Sequence, residues 1–228
     1  MSYELSTRLQ TCLDAVAPLK TIADIGTDHA YLPCVGILEN KLSYAIAADI
    51  GVGPLESAKA TIKRYELNTK IETRLGGGFS ILKPNEVEAV VVAGMGGKLI
   101  ISILEENIAL TRSFERLILQ PNIDANLVRI WLANHQFKII NEKIVLDEGK
   151  FYEIIVAEPT NQEQNYTILD LEFGPVLRRE TDNDVFKAKW SKELAKNQEI
   201  LNQLPEGHPR IEAIMVRQTL LNEVLSCQ

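Results

Sequence analysis

Asp28 and His29 stand side by side at a place where nucleotide-binding loops carry bare glycine backbone. A carboxylate beside an imidazole can stabilise a positive charge, orient a polar ring or move a proton. The pair lies in Ala23-Asp24-Ile25-Gly26-Thr27-Asp28-His29-Ala30-Tyr31-Leu32-Pro33, just after the apolar run Thr21-Ile22-Ala23. A dinucleotide would want GxGxxG there, so that amides at a helix N-terminus can hold its pyrophosphate. Only Gly26 is present, and Asp28 would repel a pyrophosphate. The loop suits a ligand without phosphates that carries a cationic amine or sulfonium, and S-adenosylmethionine is such a ligand. The competing role for Asp28 is a cap on the following helix.

Three further strand ends carry Gly or Asp at comparable places. Ala47-Ala48-Asp49 follows about 20 residues on, where an acid can accept both ribose hydroxyls of an adenosine. Ile50 comes next to it. Leu75-Gly76-Gly77-Gly78-Phe79 would bring backbone close to an adenine edge. Ala93-Gly94-Met95-Gly96-Gly97 exposes backbone with little side-chain cover, so a target base can hydrogen-bond there and Met95 can pack on either ligand. Gln120-Pro121-Asn122 lines the same crevice. His135 and His208 read as solvated residues at a helix end and in a Gly-Pro turn. Neither a Ser-His-Asp arrangement nor a metal-ligand cluster emerges.

These positions need a scaffold that gathers strand ends. Short apolar runs at Thr21 to Ile25, Tyr44 to Ala48, Ile71 to Leu75, Val87 to Val92 and Arg116 to Leu119 read as buried parallel strands. Helices are predicted over Pro54 to Leu67, Lys98 to Asn107 and Asn126 to Asn134, the last capped by Asn122 or Asp124. Phe137 to Leu146 and Tyr152 to Ala157 are separated only by Asp147-Glu148-Gly149-Lys150 and should form an antiparallel hairpin. The expected fold is α/β, a Rossmann-like sheet of parallel strands plus one antiparallel hairpin strand. By analogy this is the plan of class I methyltransferases.

Beyond Pro159 the chain turns polar, and a long helical pattern runs from about Gly174 to Asn202. Pro205-Glu206-Gly207-His208-Pro209 stops it before a second helix, Ile211 to Leu225, which gives a C-terminal antiparallel α-helical hairpin. The expected domains are 1–158 and 159–228. Lys189, Lys192 and Lys196 share one helix face and could track phosphates, although interleaved acids make a plain solvated face an equal reading.

Bulk properties set limits. The 228 residues are 46% hydrophobic and carry a net charge of −7, which argues against a general nucleic-acid binder but not against a local basic patch. Apolar runs are too short to span a bilayer. Met1-Ser2-Tyr3-Glu4 does not open a leader peptide, so a cytoplasmic protein is expected. Cys12, Cys34 and Cys227 are scattered and read as free thiols.

The sequence resembles the bacterial tRNA adenine-N1 methyltransferases that modify adenine 22 in the D arm. The resemblance rests on Leu5-Ser6-Thr7-Arg8-Leu9, ADIGTDHAYLP, AGMGG, Leu119-Gln120-Pro121-Asn122 and Gly149-Lys150-Phe151-Tyr152-Glu153-Ile154-Ile155, and it covers essentially the whole chain. It implies S-adenosylmethionine as cofactor, with Asp24 and Gly26 in the first motif and Asp49 at the ribose; the strand-end reading adds Ile50, Gly77, Gly78, Ala93, Gly94 and Met95 as cofactor-binding candidates. It implies tRNA as partner, with the helical hairpin helping to hold it; the tRNA-contact candidates are Arg8, Tyr31, Gly96, Gly97, Asn122, Lys189, Lys192 and Lys196, and Asp28 and His29, which fall in the first motif, are the catalytic candidates. No metal and no membrane are expected, and the enzyme should be a monomer. Gly77 stands where methyltransferases usually carry an Asp for the adenine amino group, so that contact passes to backbone or is lost. The Asn/Asp-Pro-Pro-aromatic motif is replaced by AGMGG.

The expected chemistry is in-line methyl transfer from sulfonium to adenine N1, with Asp28 stabilising the cationic product and Tyr31 or Phe79 stacking on the base. Alternatives are a methyltransferase of another RNA or of a small molecule, a nicotinamide oxidoreductase, and a non-enzymatic RNA-binding module on the same fold.

Overall fold

The computed structural model describes residues 4–226. Cys227 and the Met1 to Tyr3 start, on which the absence of a leader was read, lie outside the described residues. Among those residues the chain divides into two compact units after Asn165.

The first unit is built on one seven-stranded sheet of order β3-β2-β1-β4-β5-β7-β6. Strands β1 (Thr21–Ile25), β2 (Tyr44–Asp49), β3 (Ile71–Leu75), β4 (Ala89–Gly96) and β5 (Arg116–Ile123) are parallel. Strands β6 (Phe137–Asp147) and β7 (Lys150–Pro159) form the hairpin, and β7 inserts antiparallel beside β5. Burial on both faces explains the apolar, non-alternating central strands: Ile22, Ala23, Ala45 to Ala48, Val90 to Val92 and Leu117 to Leu119 are all inaccessible. The chain runs β1-β2-β3 outward and then returns to β4 on the other side of β1. The strand order therefore reverses between β1 and β4, and a ligand crevice opens beyond their C-terminal ends.

The helices of this unit are α1 (Thr7–Asp14), α2 (Tyr31–Leu38), α3 (Val52–Arg64), α4 (Gly97–Glu105), α5 (Ile108–Thr111) and α6 (Ala125–Asn134). Ser6 caps α1 by accepting the Leu9 N–H. Helix α2 has no polar face, and its Gly36 is required because a Cβ there would lie 2.4 Å from a Leu42 methyl. Asp124 precedes α6 in a left-handed conformation, φ 60°, and makes no side-chain cap. The expected cap is therefore absent.

The β6–β7 turn is tighter than expected. Asp147 pairs with Lys150, and only Glu148 (φ 48°) and Gly149 (φ 75°) turn the chain. Two consecutive left-handed residues make the turn that matches strand twist. Under the sheet, Arg129 is wholly buried and bonded to Glu142 at 2.7 Å and to Glu153. Cys12 and Cys34 are buried free thiols, both pushed up to about 12 chiefly by burial.

The second unit holds α7 (Ile168–Phe173), α8 (Asp184–Gln203) and α9 (Arg210–Ser226). Helix α8 begins ten residues later than its pattern suggested. Gly174, at φ 96°, ends α7, a 3-10 turn covers Leu177–Arg179, and the Asn183 side chain caps α8 on the Phe186 N–H. Trp190 packs edge-on to Phe173 at 4.9 Å, and the Arg217 guanidinium lies over the Phe173 ring and reaches Glu172 and Glu193 at 2.7 Å each. No helix among the described residues is long and apolar enough to cross a membrane.

Candidate active site

The loop after β1 turns sharply. Gly26, at φ 76°, and Thr27 both donate their N–H to Ala48 O, at 2.8 and 2.9 Å. Asp28 and Ala30 follow in left-handed conformations, φ 47° and 55°. Ala30 occupies the cap position of α2 without a side-chain cap, so Asp28 is not a helix cap. Its carboxylate projects to solvent instead, with His29 Nε2 at 3.7 Å from its Oδ2. The His29 ring stacks on Tyr31, with centroids 5.0 Å apart and planes at 15°.

Asp24 sits deeper. Its Oδ2 accepts the Thr27 hydroxyl at 2.6 Å. Burial pushes its carboxyl up to about 6, and the neighbouring Asp49 charge adds to the rise; the Thr27 hydrogen bond and the Arg8 charge oppose it. Arg8, Asp24, Gly26, Thr27, Asp28, His29, Tyr31, Ala93 and Gly94 line one cavity of about 260 Å³, together with Leu9 and Leu32. A cation and a buried acid thus share a chamber with the exposed Asp28–His29 pair.

Asp49, at the end of β2, accepts the Gly51 N–H at 2.7 Å and lies 3.4 Å from the Asp28 N–H. Ile50 beside it is 80% exposed, an apolar platform next to Gly77, where a Cβ would stand 3.3 Å from its methyl. Gly78 has a packing reason of its own. The Glu106 carboxylate accepts the Phe79 N–H at 3.0 Å and fills the space a Gly78 side chain would need. Phe79 is fully buried, edge-on to Phe114 at 5.4 Å, so it cannot stack on a substrate base. That leaves Tyr31, which lines the cavity.

The AGMGG stretch also departs from expectation. It belongs to β4 as far as Gly96 and is bulged at Met95. Neither backbone group of Gly94 is free for a target base, because the N–H donates to Gln120 Oε1 at 3.0 Å and the carbonyl accepts from Asn122 Nδ2 at 2.7 Å. Asn122 Oδ1 in turn accepts from Gln120 Nε2, and Arg8 Nη1 donates to Gln120 Oε1 at 2.7 Å. Met95 does not lie open either: its methyl occupies the space beside Gly26, 2.3 Å from where a Cβ would be. Gly97 is buried, and a Cβ there would strike the Asp124 carbonyl at 2.5 Å, so it lets α4 approach the β5–α6 loop instead of meeting substrate. Gly96 is half-buried.

Fully buried Gln120 is the organising residue that motif reading placed only on the pocket wall. Its one signal is an amide ending the apolar run Leu117-Ile118-Leu119. Of the lysines in the second unit, Lys189 lies over the Trp190 ring at 4.2 Å, while Lys192 and Lys196 are exposed on α8. His135 is not simply solvated: it stacks on Trp131 at 4.2 Å. Among the described residues no group of three His, Cys, Asp or Glu could hold a metal ion.

A family model described as tRNA (adenine(22)-N(1))-methyltransferase matches residues 22–225. The chain belongs to the tRNA (adenine(22)-N(1))-methyltransferase family. It is 40% identical to the tRNA (adenine(22)-N(1))-methyltransferase of Bacillus subtilis strain 168, with 97% of each chain covered. A Streptococcus pneumoniae protein, Sp1610, solved in complex with S-adenosyl-L-methionine, superposes with a TM-score of 0.89 at 35% identity, covering 97% of this chain and 100% of that one. Mycoplasma capricolum TrmK, solved with S-adenosyl-homocysteine, gives a TM-score of 0.89 at 26% identity over 99% of both chains. For a tRNA (adenine(22)-N(1))-methyltransferase the Rossmann-like first unit and the paired C-terminal helices are thus the family architecture.

Proposed function

We propose that this chain transfers the methyl group of S-adenosylmethionine to N1 of adenine 22 in the D arm of tRNA, and that the reaction site is the cavity beyond β1 and β4. The observation that carries the reading is the company Asp24 keeps. A buried acid and Arg8 share one chamber, a donor set that fits the ammonium and carboxylate of an amino-acid moiety. Arg8 was expected to contact tRNA; its sharing of one cavity with Asp24 supports a cofactor role instead. Asp49 would hold the ribose, with Ile50 and Gly77 against the adenine of the cofactor.

Bound S-adenosylmethionine supplies an electrophilic methyl group on a sulfonium sulfur. Because adenine N1 already carries a lone pair, no residue of the chain has to remove a proton before attack. Positioning is the main task. Tyr31 stacks the base after it leaves its helix, which it must do because N1 lies on the pairing edge. Asp28 faces the charge that the base acquires, and His29 orients Asp28 or the base. Lys192 and Lys196 of the second unit supply cations for the tRNA backbone. The enzyme works as a monomer in the cytoplasm.

Incubating unmodified tRNA with labelled S-adenosylmethionine and digesting it should release 1-methyladenosine from the D-arm position. Label at another nucleoside, or none, would sink the reading.

A further inference from the structure

A target that is internal to a polynucleotide imposes a geometric demand, because the strand must leave the reaction cavity on either side of the flipped base. A second hollow, of about 300 Å³, shares His29 and Tyr31 with that cavity and runs along one flank of α3 past Ser57 and Thr61 to Arg64 and Tyr65. We propose that this groove holds the tRNA nucleotide adjacent to the target adenine, its phosphate on Arg64 and its base against Tyr65. The proposal rests on the methyl-transfer reading above and adds a subsite to it.

The chemistry of the groove fits a nucleotide. At its inner end the stacked His29–Tyr31 pair presents flat π surface, and Tyr65 presents a second ring at the outer end. Aromatic faces stack on bases without regard to sequence. Arg64 is exposed, and among the described residues its guanidinium makes no ion pair or hydrogen bond. The nearby Lys59, by contrast, is paired with Glu56 at 2.7 Å. On a chain of net charge −7, an unpaired guanidinium at the rim of a groove open to the reaction cavity is placed to take a phosphate. Helix-dipole complementarity alone would explain a cation in the last turn of α3, but Lys63 serves it equally and does not line the groove. Lys63 is therefore the control.

Arg64→Ala, Arg64→Glu, Arg64→Lys and Lys63→Ala should be compared with the intact chain for KM and kcat with tRNA, for S-adenosylmethionine affinity by calorimetry, and for the salt dependence of tRNA binding. Arg64→Ala should raise the tRNA KM about fivefold to tenfold, Arg64→Glu more, with the salt slope reduced by about one unit. Turnover at saturating tRNA and cofactor affinity should stay within about twofold, Arg64→Lys should recover most of the loss, and Lys63→Ala should change little. An unchanged tRNA KM and salt slope in Arg64→Glu, with the wild type active, would overturn the subsite alone. Equal losses in Lys63→Ala would also overturn it, in favour of diffuse charge. A wild type that transfers nothing to tRNA would bring down the function itself, and the subsite with it.

Discussion

Gly94 in the bulged end of β4 donates its N–H to the side chain of Gln120 on β5, at 3.0 Å, and the same Gln120 oxygen receives Arg8 at 2.7 Å. One buried amide thereby fixes a wall of the candidate cavity and the direction of a cation on α1. Replacing it by an apolar side chain of similar length leaves both donors without that acceptor. Gln120→Met should lower kcat/KM about a hundredfold through misplacement, and should cost about 1–3 kcal/mol of stability for the unsatisfied donors. Steady-state kinetics and thermal melting check the two parts separately.

Asp28 has a different signature, because it is exposed and supports no helix. Asp28→Asn should reduce kcat by about a hundredfold to a thousandfold, the range found when one charge-stabilising group is removed. Melting temperature and cofactor affinity should hardly move. His29→Ala should cost less, on the order of tenfold, as expected for a group that orients. Full turnover in Asp28→Asn would refute its charge-stabilising role.

In the proposed site, Asp24 would tie cofactor binding to pH. With its carboxyl pushed up to about 6, it takes up a proton as pH falls through that value and no longer attracts an ammonium group. S-adenosylmethionine affinity should therefore weaken by up to tenfold per pH unit below about 6. The stability effect has the opposite sense. The folded value lies above the ordinary 3.8, so this group favours the fold below about pH 4, and that contribution is lost as pH rises through about 6. Ionised and buried at pH 8, it costs on the order of 3 kcal/mol. Asp24→Asn should melt higher than the wild type at pH 8, show little gain at pH 4, and bind cofactor poorly; calorimetry at both pH values decides.

Arg129 makes a purely structural prediction. It is buried between Glu142 and Glu153 on the hairpin. Arg129→Met removes the guanidinium from two buried carboxylates and should destabilise the protein by about 3–5 kcal/mol. Adding Glu142→Gln and Glu153→Gln should restore much of that loss. Chemical denaturation of the single and triple variants checks it, and turnover per folded molecule should be preserved throughout.

Strand and helix identity was legible wherever local pattern follows burial. The strands β1, β2, β4 and β5 read as apolar runs because both of their faces are covered, whereas edge strand β3, Ile71-Glu72-Thr73-Arg74-Leu75, is only partly buried; the hairpin reads as two β-type runs with Asp147-Glu148-Gly149-Lys150 between them. Helix α2 is expected only from its place after the loop, because Tyr31-Leu32-Pro33-Cys34-Val35-Gly36-Ile37-Leu38 has no polar face and its Pro and Gly disfavour a helix on propensity. The periodicity predicts too early a start for α8 because nothing in it marks the positive-φ Gly174 that ends α7 or the Asn183 cap that begins α8.

By itself the sequence determined the kind of ligand loop and the family. Side-chain types within one short stretch decide whether a phosphate is welcome, and ADIGTDHAYLP and AGMGG are contiguous motifs. Only the tertiary structure decided which groups face the cavity. Arg8 and Gln120 meet across 112 residues, Glu106 reaches back to Phe79, and Met95 fills the space beside Gly26. Those contacts close the Gly94 backbone to substrate and bury Phe79. They leave Tyr31, His29 and Asp28 lining the open cavity. Periodicity records which face of an element is buried; it does not record what that face is buried against.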